Sequence, residues 1–255
     1  MDRLSIRICH LYPDLLNTYG DKGNATALLK RCQWRDIGAE VVSVTLGDDF
    51  APDMYDIVCI GGGQEREQAA VCQDLIQNKV QQIKEAIASG KVFLCVSSGM
   101  QIMGNYYVNS QGEKIKGLGA IDLWTEAGDN KIQGDVVASC DFIGGREDQD
   151  TYIVGFESHT GRTYLGDGVK PLAKVIVGQG NNGTDGTEGA VVENVFCSYL
   201  HGSLLPKNYR LTDLLIYRAL VNKYGQDVAD GVMAQTPDSV AEELARKGCI
   251  SRLLH

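Results

Sequence analysis

Val92-Phe93-Leu94-Cys95-Val96-Ser97-Ser98-Gly99-Met100-Gln101-Ile102-Met103-Gly104 is the stretch that decides how this chain is read. Five apolar residues stop at a small polar one, and a glycine and an amphipathic segment follow at once. That is the grammar of a nucleophile elbow, a sharp strand-to-helix turn that projects one side chain into a cleft. The residue at the tip is Ser97. Far downstream, Tyr199-Leu200-His201-Gly202 places a histidine at the end of another apolar run.

Working outward from the elbow, residues 55–60 form an apolar strand that runs straight into Gly61-Gly62-Gly63. Residues 4–10 read as a strand leading into a loop over 11–20. Residues 21–37 have helical spacing, with Ala25, Leu28, Leu29 and Cys32 on one face, and residues 41–46 form a further strand. Residues 64–89 are polar and helical, with a break near Cys72-Gln73-Asp74. Strands alternating with helices imply parallel pairing in an open α/β sheet. The runs at 57–60 and 92–96 are nearly all apolar, as strands covered by helices on both faces must be. The second half changes character: 117–138, 152–156, 172–177 and 189–199 are strand-like and separated by Gly, Asn and Asp, and helices over 206–223 and 237–247 close the chain. The expected fold is therefore α/β, an open and mostly parallel sheet flanked by helices, with the second half as an antiparallel extension of that sheet. No repeat, low-complexity tract or linker divides the chain.

Composition narrows the function classes. The 255 residues are 44% hydrophobic and 22% charged, which fits an ordinary globular domain. A net charge of −9 argues against nucleic acid as the main partner, since a phosphate-binding surface carries a basic excess. No apolar run approaches the roughly 18 residues that span a bilayer, and the first seven residues lack the apolar core of a signal peptide. The chain is therefore expected in the cytoplasm, and its eight cysteines are expected to be reduced and mostly buried. They show no paired metal-ligand spacing.

Three features converge at the carboxyl ends of the strands, where ligands bind in open α/β sheets. They are Ser97, the glycine turn with Gln64 behind it, and His201. A histidine beside a nucleophile takes its proton and returns it to the leaving group. Gly62 and Ser98 are the expected oxyanion donors through their backbone N–H groups. Each feature alone has a plainer reading: a turn, a structural histidine or a helix cap.

In this order they resemble the class I glutamine amidotransferases, whose elbow reads Val-Cys-x-Gly-x-Gln-x-x-Gly. Val96 to Gly104 fits at every motif position except the nucleophile. Within that class the chain is similar to the cobyric-acid-synthase type, and more narrowly to the GatD-like glutaminase subunits of lipid II isoglutaminyl synthases. The narrower resemblance rests on the stretches His10 to Asn24, Gly61 to Glu65, Gly155 to Thr163, Gly178 to Asn182 and Ser198 to Gly202. It covers an amidotransferase domain at 4–225, leaving 226–255 as a helical extension packed on the same domain.

The resemblance implies that glutamine is hydrolysed through a thioester and that ammonia passes to a Mur-ligase-like synthetase subunit of the MurT type. That partner would amidate D-glutamate in the lipid II stem peptide. This chain has no Gly-x-x-x-x-Gly-Lys-[Ser/Thr] motif and so no cofactor of its own is expected; ATP and Mg belong on the partner. A glutaminase serving a cobyrinate-type amidase is the alternative, as is a catalytically silent subunit that only binds a partner.

Three departures from the family pattern matter. Serine is a far weaker nucleophile than a thiolate, so the chain as written is expected to be nearly inactive. It reads as a Cys→Ser replacement that silences turnover, or else as a natural pseudo-glutaminase. Cys95, within the strand, is expected to be buried and no substitute. Second, the family often carries His-x-Glu, but here the triplet is His201-Gly202-Ser203. The resemblance implies an acid lent by the partner; Glu157 and Asp21 are the candidates within this chain. Third, the GatD-like pattern has an arginine near a Gly-Asp pair to hold the glutamine α-carboxylate, and the matching stretch here carries Lys131, which keeps the charge but not the bidentate fork. Gln101 and Gly63 are the other expected substrate contacts, and Glu157, His159 and Arg162 are read as a polar cluster shaping the cleft or the partner surface.

Overall fold

The structure is a computed structural model that describes residues 4–144 and 148–254; His255 lies outside them. In chain order the first half is β1 (Ser5–Leu11), α1 (Lys22–Gln33), β2 (Gly38–Val44), β3 (Ile57–Ile60), α2 (Glu65–Asp74), α3 (Val80–Ala88), β4 (Val92–Val96) and α4 (Ser98–Met103). The second half opens with β5 (Tyr106–Val108), β6 (Lys114–Lys116), β7 (Leu123–Ser139), β8 (Tyr152–Leu165) and β9 (Ala173–Val177). It continues with β10 (Thr187–Glu188), β11 (Ala190–Val192), β12 (Val195–Ser198), β13 (Leu200–His201), α5 (Leu204–Lys207), α6 (Tyr209–Tyr224), α7 (Gln226–Met233) and α8 (Val240–Leu254).

The first sheet runs β11-β12-β4-β3-β1-β2, parallel throughout except for β11 at one edge. Strands β3 and β4 are buried at every position, as their unbroken apolar runs require. Helix α1 is shorter than its spacing suggests. Asp36 adopts φ 56° and the Ile37 N–H turns back to the Cys32 carbonyl at 3.0 Å, which ends the helix and frees Ile37 for the core. In the polar helical stretch after the glycine turn, α2 ends at Asp74, at the expected break, but the chain stays helical there. It continues through a π-helical turn at Leu75–Lys79, around a buried Asp74 that pairs with Lys79 and accepts the Tyr12 hydroxyl at 2.7 Å.

The second half corrects one expectation. Most of it forms a separate sheet, β10-β9-β7-β5-β6 with β8 paired to β7 and β13, while the hairpin β11-β12, from the expected 189–199 stretch, does extend the first sheet, with β11 antiparallel at its edge. The reason lies in the side-chain pattern. Strand β7 alternates buried and exposed positions along much of its length, which suits a sheet with one wet face and not the middle of a helix-covered parallel sheet. The chain crosses from one sheet to the other at Tyr199, so β12 pairs with β4 while β13, two residues on, pairs with β8. His201 thus sits at the seam.

The closing helices lie against both sheets. Leu211, Leu215, Ile216, Ala219 and Leu220 of α6 join the core under the first sheet. In α8, Ile250 packs with Val137 and Val154 of the second, and Arg246 donates to the Tyr152 carbonyl at 3.2 Å. Buried Arg31 of α1 ties these parts together: it meets Asp213 of α6 at 2.6 and 2.7 Å, Ser239 at 3.1 Å and Glu242 of α8 at 3.5 Å.

Candidate active site

Ser97 ends β4 with φ 53° and ψ −111°, a conformation a non-glycine residue holds only under tertiary constraint, at a cost of about 1–3 kcal/mol. The constraint is visible on both sides. The Ser97 N–H donates to the Ser198 carbonyl of β12 at 2.8 Å, and its carbonyl accepts the Gln101 N–H at 3.0 Å, starting α4. Gly99 lets that helix lie directly on β3, for a Cβ there would stand 2.7 Å from the Ile60 carbonyl oxygen. Sequence and structure agree on the elbow.

The triple glycine is a place of close approach. A Cβ on Gly62 would stand 2.7 Å from His201 Cε1, 3.1 Å from Ser97 Cβ and 3.4 Å from Asp21 Oδ2. One point therefore has nucleophile position, histidine and carboxylate around it. The 11–20 loop presses on Gly61 and Gly63 through Leu15 and Leu16, which leaves no room for side chains. The Gly62 amide is held from both ends: its N–H donates to Asp21 Oδ2 at 2.8 Å and its carbonyl accepts from the Thr18 N–H at 2.8 Å. This departs from the expectation that the Gly62 N–H faces an oxyanion, because a buried carboxylate has claimed it. The Gly63 N–H reaches Ser98 Oγ at 3.2 Å, and that hydroxyl donates to the Gly63 carbonyl at 2.8 Å. The Ser98 N–H is the first amide of α4 and so has no acceptor within its own helix.

His201 is 1% exposed. Its Nδ1 lies 3.4 Å from each Asp21 oxygen, and the Tyr19 ring covers it with centroids 5.1 Å apart. Tyr19 is fixed in turn by its hydroxyl, 2.9 Å from Ser158 Oγ. Of the two acids weighed within the chain, Glu157 is committed elsewhere: it accepts the Gln179 and Gly180 N–H groups at 2.8 and 2.7 Å. Burial pushes the Glu157 carboxyl up from its ordinary value and those two amides pull it back.

A cleft of about 340 Å³ opens beside this centre, and its walls include Ser97, Ser98, Gly63, Gln101 and Lys131. Lys131 reaches it because β7 and β8 lose register between Ala127 and Ile132, so the intervening residues loop outward. Arg162 staples that bulge, donating to the Asn130 and Thr160 carbonyls at 2.7 and 2.8 Å. Gln101 borders the cleft but is spoken for. Its carbonyl accepts Gln68 Nε2 at 2.8 Å and its amide donates to the Tyr199 hydroxyl at 2.9 Å; that hydroxyl lies 2.6 Å from Thr163 Oγ1. The His159 ring stacks on Tyr199 at 3.7 Å, and its Nδ1 meets the Gly161 carbonyl at 2.9 Å. Burial, the largest cause, holds the His159 imidazole down at about 4. Cys95 is fully buried and its thiol is pushed well up by burial, which removes it as a nucleophile. All eight cysteines are unpaired, and seven of them are buried.

Residues 7–209 match the sequence model of the CobB/CobQ-like glutamine amidotransferase domain. A relative from Streptococcus pneumoniae (strain ATCC BAA-255 / R6), the GatD subunit of a glutamine-hydrolyzing lipid II isoglutaminyl synthase, is 39% identical over 95% of this chain and 90% of its own length. The subunit of the same name from Staphylococcus aureus (strain N315) is 40% identical over 86% of each chain. A probable cobyric acid synthase from Methanosphaera stadtmanae is 30% identical over 66% of this chain but only 33% of its own length. Among solved structures, a glutamine amidotransferase from Thermotoga maritima superposes with a TM-score of 0.53 at 13% identity, covering 98% of this chain and 96% of that one, a likeness of fold alone. Elbow, glycine turn, seam histidine and these matches agree, and the chain belongs to the CobB/CobQ-like glutamine amidotransferase family.

Proposed function

We propose that this chain is the glutamine-hydrolysing subunit of a lipid II isoglutaminyl synthase. Ammonia would pass to a Mur-ligase-like partner of the MurT type, which holds ATP and Mg and amidates D-glutamate in the lipid II stem peptide. The observation that carries the reading is the meeting of Ser97, His201 and Asp21 around Gly62, at the edge of a cleft that Lys131 helps to line. The 39–40% identical relatives supply the substrate class. Among the described residues no helix is long and apolar enough to cross a membrane, which suits a chain working in the cytoplasm on a lipid-borne substrate through its partner.

The chemistry assigned to each group follows from its position. With cysteine at position 97, His201 Nε2 takes the thiol proton and sulfur attacks the glutamine carboxamide carbon. The Ser98 N–H, without an acceptor inside α4, is the donor assigned to the developing oxyanion. Collapse breaks the C–N bond as His201 returns its proton to the departing ammonia, leaving a thioester. Water then attacks the thioester, His201 moves the proton, and glutamate leaves with the sulfur restored. Lys131 holds the substrate α-carboxylate. Serine at the tip stalls this sequence at its first step, since an alkoxide is far harder to form than a thiolate.

Ser97 itself favours one competing reading, a silent subunit that only stabilises its partner. Reversion with S97C, followed by ammonia release from glutamine with and without a MurT-type partner, decides between them. Expected is turnover in S97C that far exceeds the Ser97 chain. No ammonia from S97C with partner, alongside full assembly by the Ser97 chain, would overturn the enzymatic reading.

A further inference from the structure

We propose that the outer face of the second sheet around Trp124 is a docking surface for an anionic lipid bilayer; this rests on the reading above, in which the partner's substrate is carried on a lipid. Four strands lie side by side here. Their register sets Lys116 of β6, Tyr106 of β5, Trp124 of β7 and Tyr164 of β8 in one row. The row crosses three strand spacings, about 14 Å. Side chains alternate between the two faces of each strand. Tyr107, Thr125 and Thr163 are buried, so their neighbours in the row point outward. Tyr164 is 37% exposed, and Tyr106 and Trp124 are half-buried. The Trp124 and Tyr164 rings stack with centroids 6.0 Å apart, and the Lys114 ammonium lies 3.3 Å from the centre of the Tyr106 ring.

Cross-strand aromatic pairs steady any sheet, but this row has two properties that steadying does not need. Tyrosine and tryptophan carry an apolar body and a polar tip, the combination that collects where hydrocarbon meets water. The face is also cationic in a chain whose net charge is −9. Lys114, Lys116 and Arg162 lie on it, with Glu126 as the acid between them, and Glu126 accepts the Tyr106 hydroxyl at 2.6 Å. An anionic bilayer repels the chain as a whole and attracts it here. The lysine stems can lie along the rings while their ammonium groups meet lipid phosphates. Val108, two residues after Tyr106 in β5, also lines the catalytic cleft, so the cleft opens at the border of the patch. Docking through this face holds the ammonia-forming centre beside the surface that carries the final substrate.

The test uses the full-length chain carrying W34F, which leaves Trp124 as its single tryptophan. The probe is vesicles of phosphatidylglycerol and phosphatidylcholine in equal parts, with pure phosphatidylcholine vesicles as the neutral arm. Expected are co-sedimentation with the anionic vesicles and a blue shift of Trp124 emission, both lost on neutral vesicles and in high salt. K114E/K116E changes two exposed lysines, so its melting temperature and the ammonia release of its S97C form in solution should stay as they are. Its binding to anionic vesicles should fall about tenfold or more. Binding that survives this charge reversal within twofold, or Trp124 emission that anionic vesicles do not move, would overturn the proposal. So would a blue shift produced by a MurT-type partner and not by vesicles, which would make the face a protein interface. Absence of turnover in S97C would sink the glutaminase reading instead, and vesicle binding would still be decided by its own measurement.

Discussion

Replacing Gly62 by alanine tests the assembled centre with a single methyl group. The added carbon would stand 2.7 Å from His201 Cε1 and 3.1 Å from Ser97 Cβ, while Asp21 accepts the Gly62 N–H and the Thr18 N–H of the 11–20 loop donates to its carbonyl. Normal carbon contacts begin at about 3.5 Å, so the imidazole must retreat by most of an ångström. A misplacement of about 1 Å at reacting groups costs on the order of 10²-fold in rate. Overpacking a buried site costs about 1–3 kcal/mol, which for a chain of this size lowers Tm by several degrees. In the S97C background, G62A is therefore expected to cut ammonia release about 100-fold and to melt a few degrees early by differential scanning fluorimetry. Gly231 supplies the control: it lies inside α7 with nothing near its missing side chain, so G231A should leave kcat unchanged and add about 0.5–1 kcal/mol of stability. Retention of activity by G62A within twofold of S97C, with an unshifted Tm, would refute the claim that nucleophile, base and carboxylate meet at that point.

Three further outcomes are expected. K131A in the S97C background should raise KM for glutamine about tenfold or more while kcat changes little, because the cleft loses the cation on its rim; steady-state kinetics with glutamine decide it. D213A should destabilise the fold by about 3–5 kcal/mol, measured by urea unfolding, since Arg31 and Arg35 are buried and each forms its shortest ion pair with Asp213, at 2.6 and 2.8 Å. Burial pushes the Glu188 carboxyl up to about 7 despite a 2.6 Å bond from Ser198. A group raised in the folded state contributes stability that is complete below its ordinary value of 4.5 and is lost as pH climbs through 7. E188Q is thus expected to gain roughly 3 kcal/mol relative to the unsubstituted chain between pH 4.5 and 7.5, and parallel unfolding curves for the two would contradict it.

The elbow and the seam histidine were legible because their signals are local. An apolar run, a small residue and a glycine dictate a strand, a strained turn and a close-packed helix whatever surrounds them. The partition into two sheets was not legible in the same way. Strand pairing is a long-range choice, and only the alternating burial of β7 against the unbroken burial of β3 and β4 separates the layers. Other details depend on groups whose partners lie far along the chain. Gln101 lines the cleft as expected, but its orientation there is set by Gln68 and Tyr199, 33 and 98 positions away. The direction of the Gly62 N–H depends on where the loop before α1 sets Asp21. Lys131 was reached only through its match to the arginine of the family pattern, because the register break that delivers it to the cleft is a property of the β7–β8 pair.

Strands β4 and β12 run side by side in register from Phe93 and Val195 to Val96 and Ser198, and a backbone hydrogen bond joins Ser97 to Ser198 just beyond. The distance from position 97 to Ser198, three residues before His201, is therefore a property of the first sheet, fixed by peptide groups of its two central strands. Warming that loosens outer loops should dull substrate capture first. The machinery for breaking the bond would survive until the cooperative collapse of the entire chain.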